Sequence, residues 1–198
     1  MKSVLLSVRP EWIAKILNGE KTIEIRKKFP SDYVGWVYIY CTKEQGLARL
    51  YNGRWNDTFV CEKDITDNEF KRMYSGYDGK GKVVGRFWCD KVEYVENTYD
   101  EFRWGEEDYS TETLNPDVLY EKSCLSFEEM DKYLKGDCGY AIHITKLEIF
   151  DKPKEISEFM KVSCKGCPFE NTQTCHNNTD GRYCKLTRAP QSWQFIEV

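Results

Sequence analysis

Three strand-like runs and one short helix are written into the first 42 residues, and that density of strands limits what the chain can become. Lys2 to Val8 reads as a strand. Pro10 then suits the first turn of a helix, where its missing N–H would have had no partner anyway. Trp12, Ile13, Ile16 and Leu17 recur at helical spacing on one apolar face. Asn18-Gly19 ends that helix, because glycine accepts the left-handed cap. Lys21 to Lys27 alternates as a strand, with Ile23 and Ile25 on one side and Thr22, Glu24 and Arg26 on the other. Phe29 to Asp32 is a turn, and Trp36 to Thr42 is a β-rich run.

Further strands are expected over Val83–Val95, Tyr140–Phe150 and Ser192–Val198. The side-chain parity flips near Thr145-Lys146, which predicts a bulge or bend. Short helices are expected over Asp64–Tyr74, Ser126–Leu134 and Lys154–Met160; Ser126 with Glu129 forms a capping box for the second. Glu96 to Cys124 is acidic, aromatic and without period, and reads as an insertion. Strands dominate and the helices are short, so the class is α+β, a small mixed barrel rather than a doubly wound sheet.

The 198 residues are 40% hydrophobic and 31% charged, the composition of a chain that folds around a core. No run approaches the ~18–20 apolar residues of a membrane span. The apolar stretch Val4–Val8 is broken by Arg9 and Pro10 and is too short for a secretory signal, so the expected location is the cytoplasm and no membrane partner is expected. A net charge of −4 argues against a generally basic nucleic-acid binder. The charge is uneven, however: residues 1–50 carry +4, residues 93–131 carry −11, and residues 152–188 carry +3. An anionic ligand belongs on the first and last of these and not on the middle, which reads as a solvated surface.

The segment Gly19-Glu-Lys-Thr-Ile-Glu-Ile-Arg26 carries the most chemistry. It fits G-x-K-x-x-E-x-R. The helix end and glycine turn deliver Lys21 to the mouth of the next strand, and Glu24 and Arg26 project from one strand face. Two cationic donors beside one acceptor could grip a phosphate and read a base edge. The bland alternative is a surface strand with a Glu–Arg pair worth about 0–1 kcal/mol.

Together with Leu5-Leu-Ser-Val-Arg-Pro10, Ile13, Ile16, Leu17 and the strand around Val37 to Tyr40, this segment resembles the ASCH domains of the PUA-like superfamily. The later segments Ala141-Ile-His-Ile-Thr145, Asp151-Lys-Pro-Lys154 and Ala189-Pro-Gln-Ser-Trp193 resemble a long phage- or prophage-associated branch. The resemblance implies a PUA-like mixed β-barrel with short flanking helices and a cleft lined by the motif. It further implies that the cleft binds RNA or a modified nucleotide, with Arg9, Lys21, Thr22, Glu24, Arg26, Arg188 and Gln191 as the contacts. Some ASCH members are hydrolases of RNA or of N4-acylated cytidine, in which case Lys21 and Glu24 would be catalytic here. The amide hydrolases carry a threonine nucleophile where Glu24 stands, and a carboxylate does not inherit that chemistry. Binding is therefore the leading expectation, with turnover the alternative.

Nine cysteines are present, four of them clustered as Cys164-x2-Cys167, Cys175 and Cys184. In a cytosolic chain such a cluster points to metal before disulfides. A leading C-x-x-C and four thiolates fit a closed structural zinc site; an iron–sulfur cluster or free thiols are the alternatives. This makes residues 151–188 a small zinc-knuckle-like appendage. Residues 1–150 form the barrel with its insertion at about 96–124, and 189–198 its closing strand. A zinc-stabilised protein-interaction module is a third reading of the whole chain. Near the end, Gln191 could bond a base edge and Arg188 a phosphate, while Trp193 reads as core on the closing strand. His143, sharing strand parity with Ala141 and Thr145, is a weaker candidate for a base in the cleft.

Overall fold

All six residues of β1 (Ser3–Val8) are buried, which places this strand inside a sheet with both faces covered. The computed structural model describes residues 2–51, 57–65, 77–98, 101–105, 115–162 and 185–198. β1 runs parallel to β3 (Gly35–Cys41) and antiparallel to β12 (Trp193–Glu197), so the end of the chain does close against its beginning. With β6 (Val83–Cys89), β10 (Thr145–Lys154) and β11 (Met160–Lys161) they make a six-stranded sheet in the order β10-β6-β3-β1-β12-β11. A side chain at Gly85 would bring its Cβ to 2.6 Å from the Glu148 carbonyl oxygen, so only glycine lets β6 and β10 approach this closely.

A second sheet has the order β2-β9-β7-β8, from β2 (Ile23–Arg26), β9 (Gly139–His143), β7 (Val92–Asn97) and β8 (Phe102–Gly105). The chain passes between the sheets at β6 to β7 and returns at β9 to β10. Lys146, with φ of 44°, sits at the second crossing, where the register of β10 against β6 is irregular. That is the place where the flip in sequence parity predicts a bend.

Three hydrophobic clusters hold these layers. The first gathers Val4, Leu6, Val37, Ile39 and Phe87 of the large sheet, Ile142 of the small one, and the apolar face of α1 (Pro10–Leu17). The second lies on the other face of the small sheet, where Ile23, Ile25, Val95 and Ala141 meet Leu119 of α2 (Pro116–Ser123) and Met130 and Leu134 of α3 (Phe127–Leu134). The third covers the outer face of the large sheet, with Leu5, Tyr38, Tyr40 and Val83 under Phe159 and Leu186.

The barrel expected from the sequence is not closed among the described residues. β2 gives its backbone bonds to β9 and ends the small sheet as an edge. Side chains, not a ladder, span from there to the large sheet: Arg26 Nη2 donates to Ser7 O at 2.7 Å and Trp193 Nε1 to Lys28 O at 2.6 Å. The stretch read as an insertion supplies β8 and α2, both packed into the second cluster. The capping box of α3 forms as expected, with Ser126 Oγ accepting from Glu129 N and the Glu129 carboxylate accepting from Ser126 N. The helix expected over 64–74 lies, beyond Ile65, outside the described residues; Glu62–Asp64 make one 3-10 turn. Ile156–Glu158 likewise make a 3-10 turn where a short helix is expected. A separate hairpin, β4 (Leu47–Tyr51) with β5 (Asp57–Cys61), docks on α1, because the Asn18 amide bonds both the N–H and the carbonyl of Phe59 at 2.9 Å. No helix among the described residues is long and apolar enough to cross a membrane.

Candidate functional site

The opening between β2 and the end of β1 is a cleft of about 580 Å³. Its inner wall is built by the turn after α1. Gly19 adopts φ of 77°, and the Glu20 and Lys21 amides both return to the Lys15 carbonyl. This staples Lys21 at the cleft, where its side chain is 2% exposed. Lys21 Nζ donates to Ser123 O, at the C-terminal end of α2, at 2.5 Å and lies 3.4 Å from Glu24 Oε2. A cation there meets an unpaired helix carbonyl and the negative end of the helix dipole. It also lies 5.3 Å from the centre of the Trp12 ring.

Glu24 and Arg26 share the face of β2 opposite Ile23 and Ile25, because strand side chains alternate. Glu24 Oε1 accepts from Arg26 Nη2 at 2.9 Å, so this one carboxylate holds both cations. Burial pushes the Lys21 amine below the ordinary lysine range, and the Glu24 charge only partly restores it. Among the described residues, two enclosed atoms of the lining, Arg26 Nε and Thr42 Oγ1, have no hydrogen-bond partner. A buried ion network of this kind is rarely better for stability than apolar side chains of the same volume. Its presence beside an opening therefore points to use rather than to folding alone.

The mouth is wetter. Arg9 and Glu44, both mostly exposed, sit 3.6 Å apart. Glu11 pairs with Lys63. Glu129, Lys132 and Tyr133 of α3 and Gln191 complete the rim, all of them exposed.

Of the residues singled out from the sequence, Arg9, Lys21, Glu24, Arg26 and Gln191 come together here. Thr22 does not line the cleft; its side chain is exposed, and its backbone bonds Lys122 and Ile144. Arg188 is exposed and also lies outside the lining. Trp193 packs against the first cluster. His143 is not in the cleft. Its Nε2 lies 2.5 Å from Glu93 Oε2, and its ring stacks 6.2 Å from that of Trp104, a residue of the second cluster. Cys164, Cys167, Cys175 and Cys184 lie outside the described residues. The sequence reading missed Thr42, Lys132 and Tyr133. For Tyr133 a signal existed: it is an aromatic residue off the Met130–Leu134 stripe of its helix.

No family model matches the chain, and no curated protein matches it. Its structural neighbours include an ASCH protein and variants of it. The crystal structure of ASCH from Zymomonas mobilis matches at 13% identity with a TM-score of 0.44, over 98% of this chain and 87% of that one. A Tyr-to-Phe variant of the same protein matches at 14% identity and 0.45, over 100% and 91%. A Ser-to-Ala variant matches at 13% and 0.43, over 98% and 88%. At this level the likeness carries no argument about ligand or chemistry, which rest on the site itself.

Proposed function

We propose that the cleft binds a single nucleotide unit, from RNA or as a modified nucleotide, and that the chain is a PUA-like protein of the ASCH type. The observation that carries this is the convergence of Lys21, Glu24 and Arg26 with the aromatic rings of Trp12 and Tyr133 in one cleft. Its volume of about 580 Å³ falls in the range of small-ligand sites and not of a duplex groove. The lining holds Arg9, Lys21, Arg26 and Lys132 against Glu11, Glu24, Glu44 and Glu129, so its charges balance. A duplex-backbone binder needs an excess of cations. An unpaired base reads instead through stacking and edge hydrogen bonds. Lys21→Ala and Arg26→Ala should each weaken RNA binding about tenfold or more, measured by fluorescence anisotropy at low salt. Arg188→Ala, outside the lining, should change it less than twofold. Binding that ignores the first two substitutions would place the site elsewhere.

A second reading is hydrolysis of RNA or of N4-acylated cytidine. It is favoured by the buried Lys21 amine, held below its ordinary pKa and 3.4 Å from a carboxylate, which suits proton transfer. Product formation from tRNA or N4-acetylcytidine, lost in Lys21→Ala, would establish it.

Zinc on the four clustered cysteines remains part of the proposal. The residues flanking 163–184 are joined: Leu186 N donates to Phe159 O at 2.8 Å, and Met160 bridges Lys185. Elemental analysis of protein purified without added metal should find about one zinc per chain. Cys164→Ser should lose it. Cys41→Ser should keep it, since Cys41 is fully buried and burial pushes its thiol up to about 12, away from the thiolate a metal needs.

A further inference from the structure

The two cations on the floor of the cleft are already engaged by one buried carboxylate, and this determines which end of a nucleotide fits it. Glu24 takes Lys21 on one oxygen and Arg26 on the other. The same cations are also engaged by backbone carbonyls, Lys21 by Ser123 and Arg26 by Ser7. A phosphate placed there would sit against a carboxylate that is itself almost fully buried, and like charges repel strongly where water is excluded.

The partners still wanting in the lining are of another kind. Arg26 Nε–H needs an acceptor, and the Thr42 hydroxyl can give or accept. Each Glu24 oxygen keeps a lone pair for a donor. An edge that carries an acceptor beside a donor, with no net charge, answers all three. The mouth is the reverse. Among the described residues Arg9, 62% exposed, pairs with a similarly exposed Glu44, and Lys132 is exposed on the same lining. A phosphate can take either cation there without a buried anion nearby.

We propose that Glu24 is an internal counter-ion that keeps phosphate off the floor, so that the ligand enters with a neutral base edge inward and its phosphate at the mouth. Glu24 is then the residue that sets specificity for base over phosphate. This rests on the reading of the cleft as a nucleotide site.

The test is calorimetric titration of the full chain with inorganic phosphate, the four ribonucleosides and their 5′-monophosphates. The wild type should bind at least one nucleoside, its monophosphate about three- to tenfold tighter, and inorganic phosphate at least about tenfold more weakly than the nucleoside. Arg9→Ala combined with Lys132→Ala should bring the monophosphate down to the affinity of the nucleoside. Glu24→Gln should weaken the nucleoside about tenfold or more and strengthen inorganic phosphate. Thr42→Val decides the matter if that variant does not fold. It removes an unpartnered buried hydroxyl, so its thermal midpoint should hold or rise while nucleoside affinity falls about threefold or more. Inorganic phosphate bound as tightly as the monophosphate would overturn the proposal, as would Glu24→Gln and Thr42→Val variants that both bind nucleoside like wild type. A wild type that binds none of these probes would overturn the nucleotide reading itself, and the proposal with it.

Discussion

Glu24 and Glu93 are both buried carboxylates gripped by two basic groups, yet their surroundings differ in one respect that matters. The partners of Glu24, Lys21 and Arg26, have side chains only 2% and 11% exposed and line a cleft. The partners of Glu93, Lys91 at 2.8 Å and His143 at 2.5 Å, are 45% and 24% exposed and lie where the chain crosses between the sheets. In the first cluster the cation bears the strain of burial: Lys21 is pushed below its ordinary pKa. In the second, burial pushes the carboxyl up, but the bonds from His143 and Lys91 outweigh it and hold Glu93 below the ordinary carboxylate range. A carboxylate whose partners reach water behaves as a clamp between strands. One whose partners are sealed beside an opening keeps its interactions available to a ligand.

Removing each carboxylate should separate the two most sharply. Glu24→Ala strands two cations where water barely reaches, and a loss of about 3–5 kcal/mol in urea unfolding is expected. Glu93→Ala frees two groups that can turn to solvent, and should cost about 1–3 kcal/mol. Equal losses would break the comparison.

The smaller effect lies in the pH dependence of stability, and its sign differs between the clusters. Lys21 binds its proton less tightly when folded than when unfolded. Its penalty is full below the folded pKa and is relieved as pH rises towards the ordinary lysine value. Glu93 contributes stability that is full above the ordinary carboxylate range and is lost as pH falls through its lowered folded pKa. Thermal midpoints measured from about pH 3 to about pH 10 should show it. Lys21→Met should flatten the alkaline limb alone, and Glu93→Gln the acid limb alone. A variant that flattens the other limb would mean the two clusters are coupled through β9, which pairs with both β2 and β7.

What could be read directly from the residues was local. The stop of α1 at Gly19, the alternation along Ile23–Arg26, the capping box at Ser126 and the bend near Lys146 each depend on neighbours within a few positions, and each is found. The last strand was equally legible: a strand is expected over Ser192–Val198 and β12 runs over Trp193–Glu197. Other features were not, because their causes lie far along the chain. β8 and α2 form in an acidic stretch without period, since their apolar residues are spaced for β7 and the second cluster and not for a helix or strand standing alone. Among the described residues the barrel is not closed, because β2 pairs with β9, about 115 residues away in sequence, and side chains join it to the large sheet. Lys132 and Tyr133 join Lys21 at one cleft for the same reason. Chemistry at a single position is set by the residue type, but which residues share a site is set by packing between distant segments, and only the tertiary structure decides that.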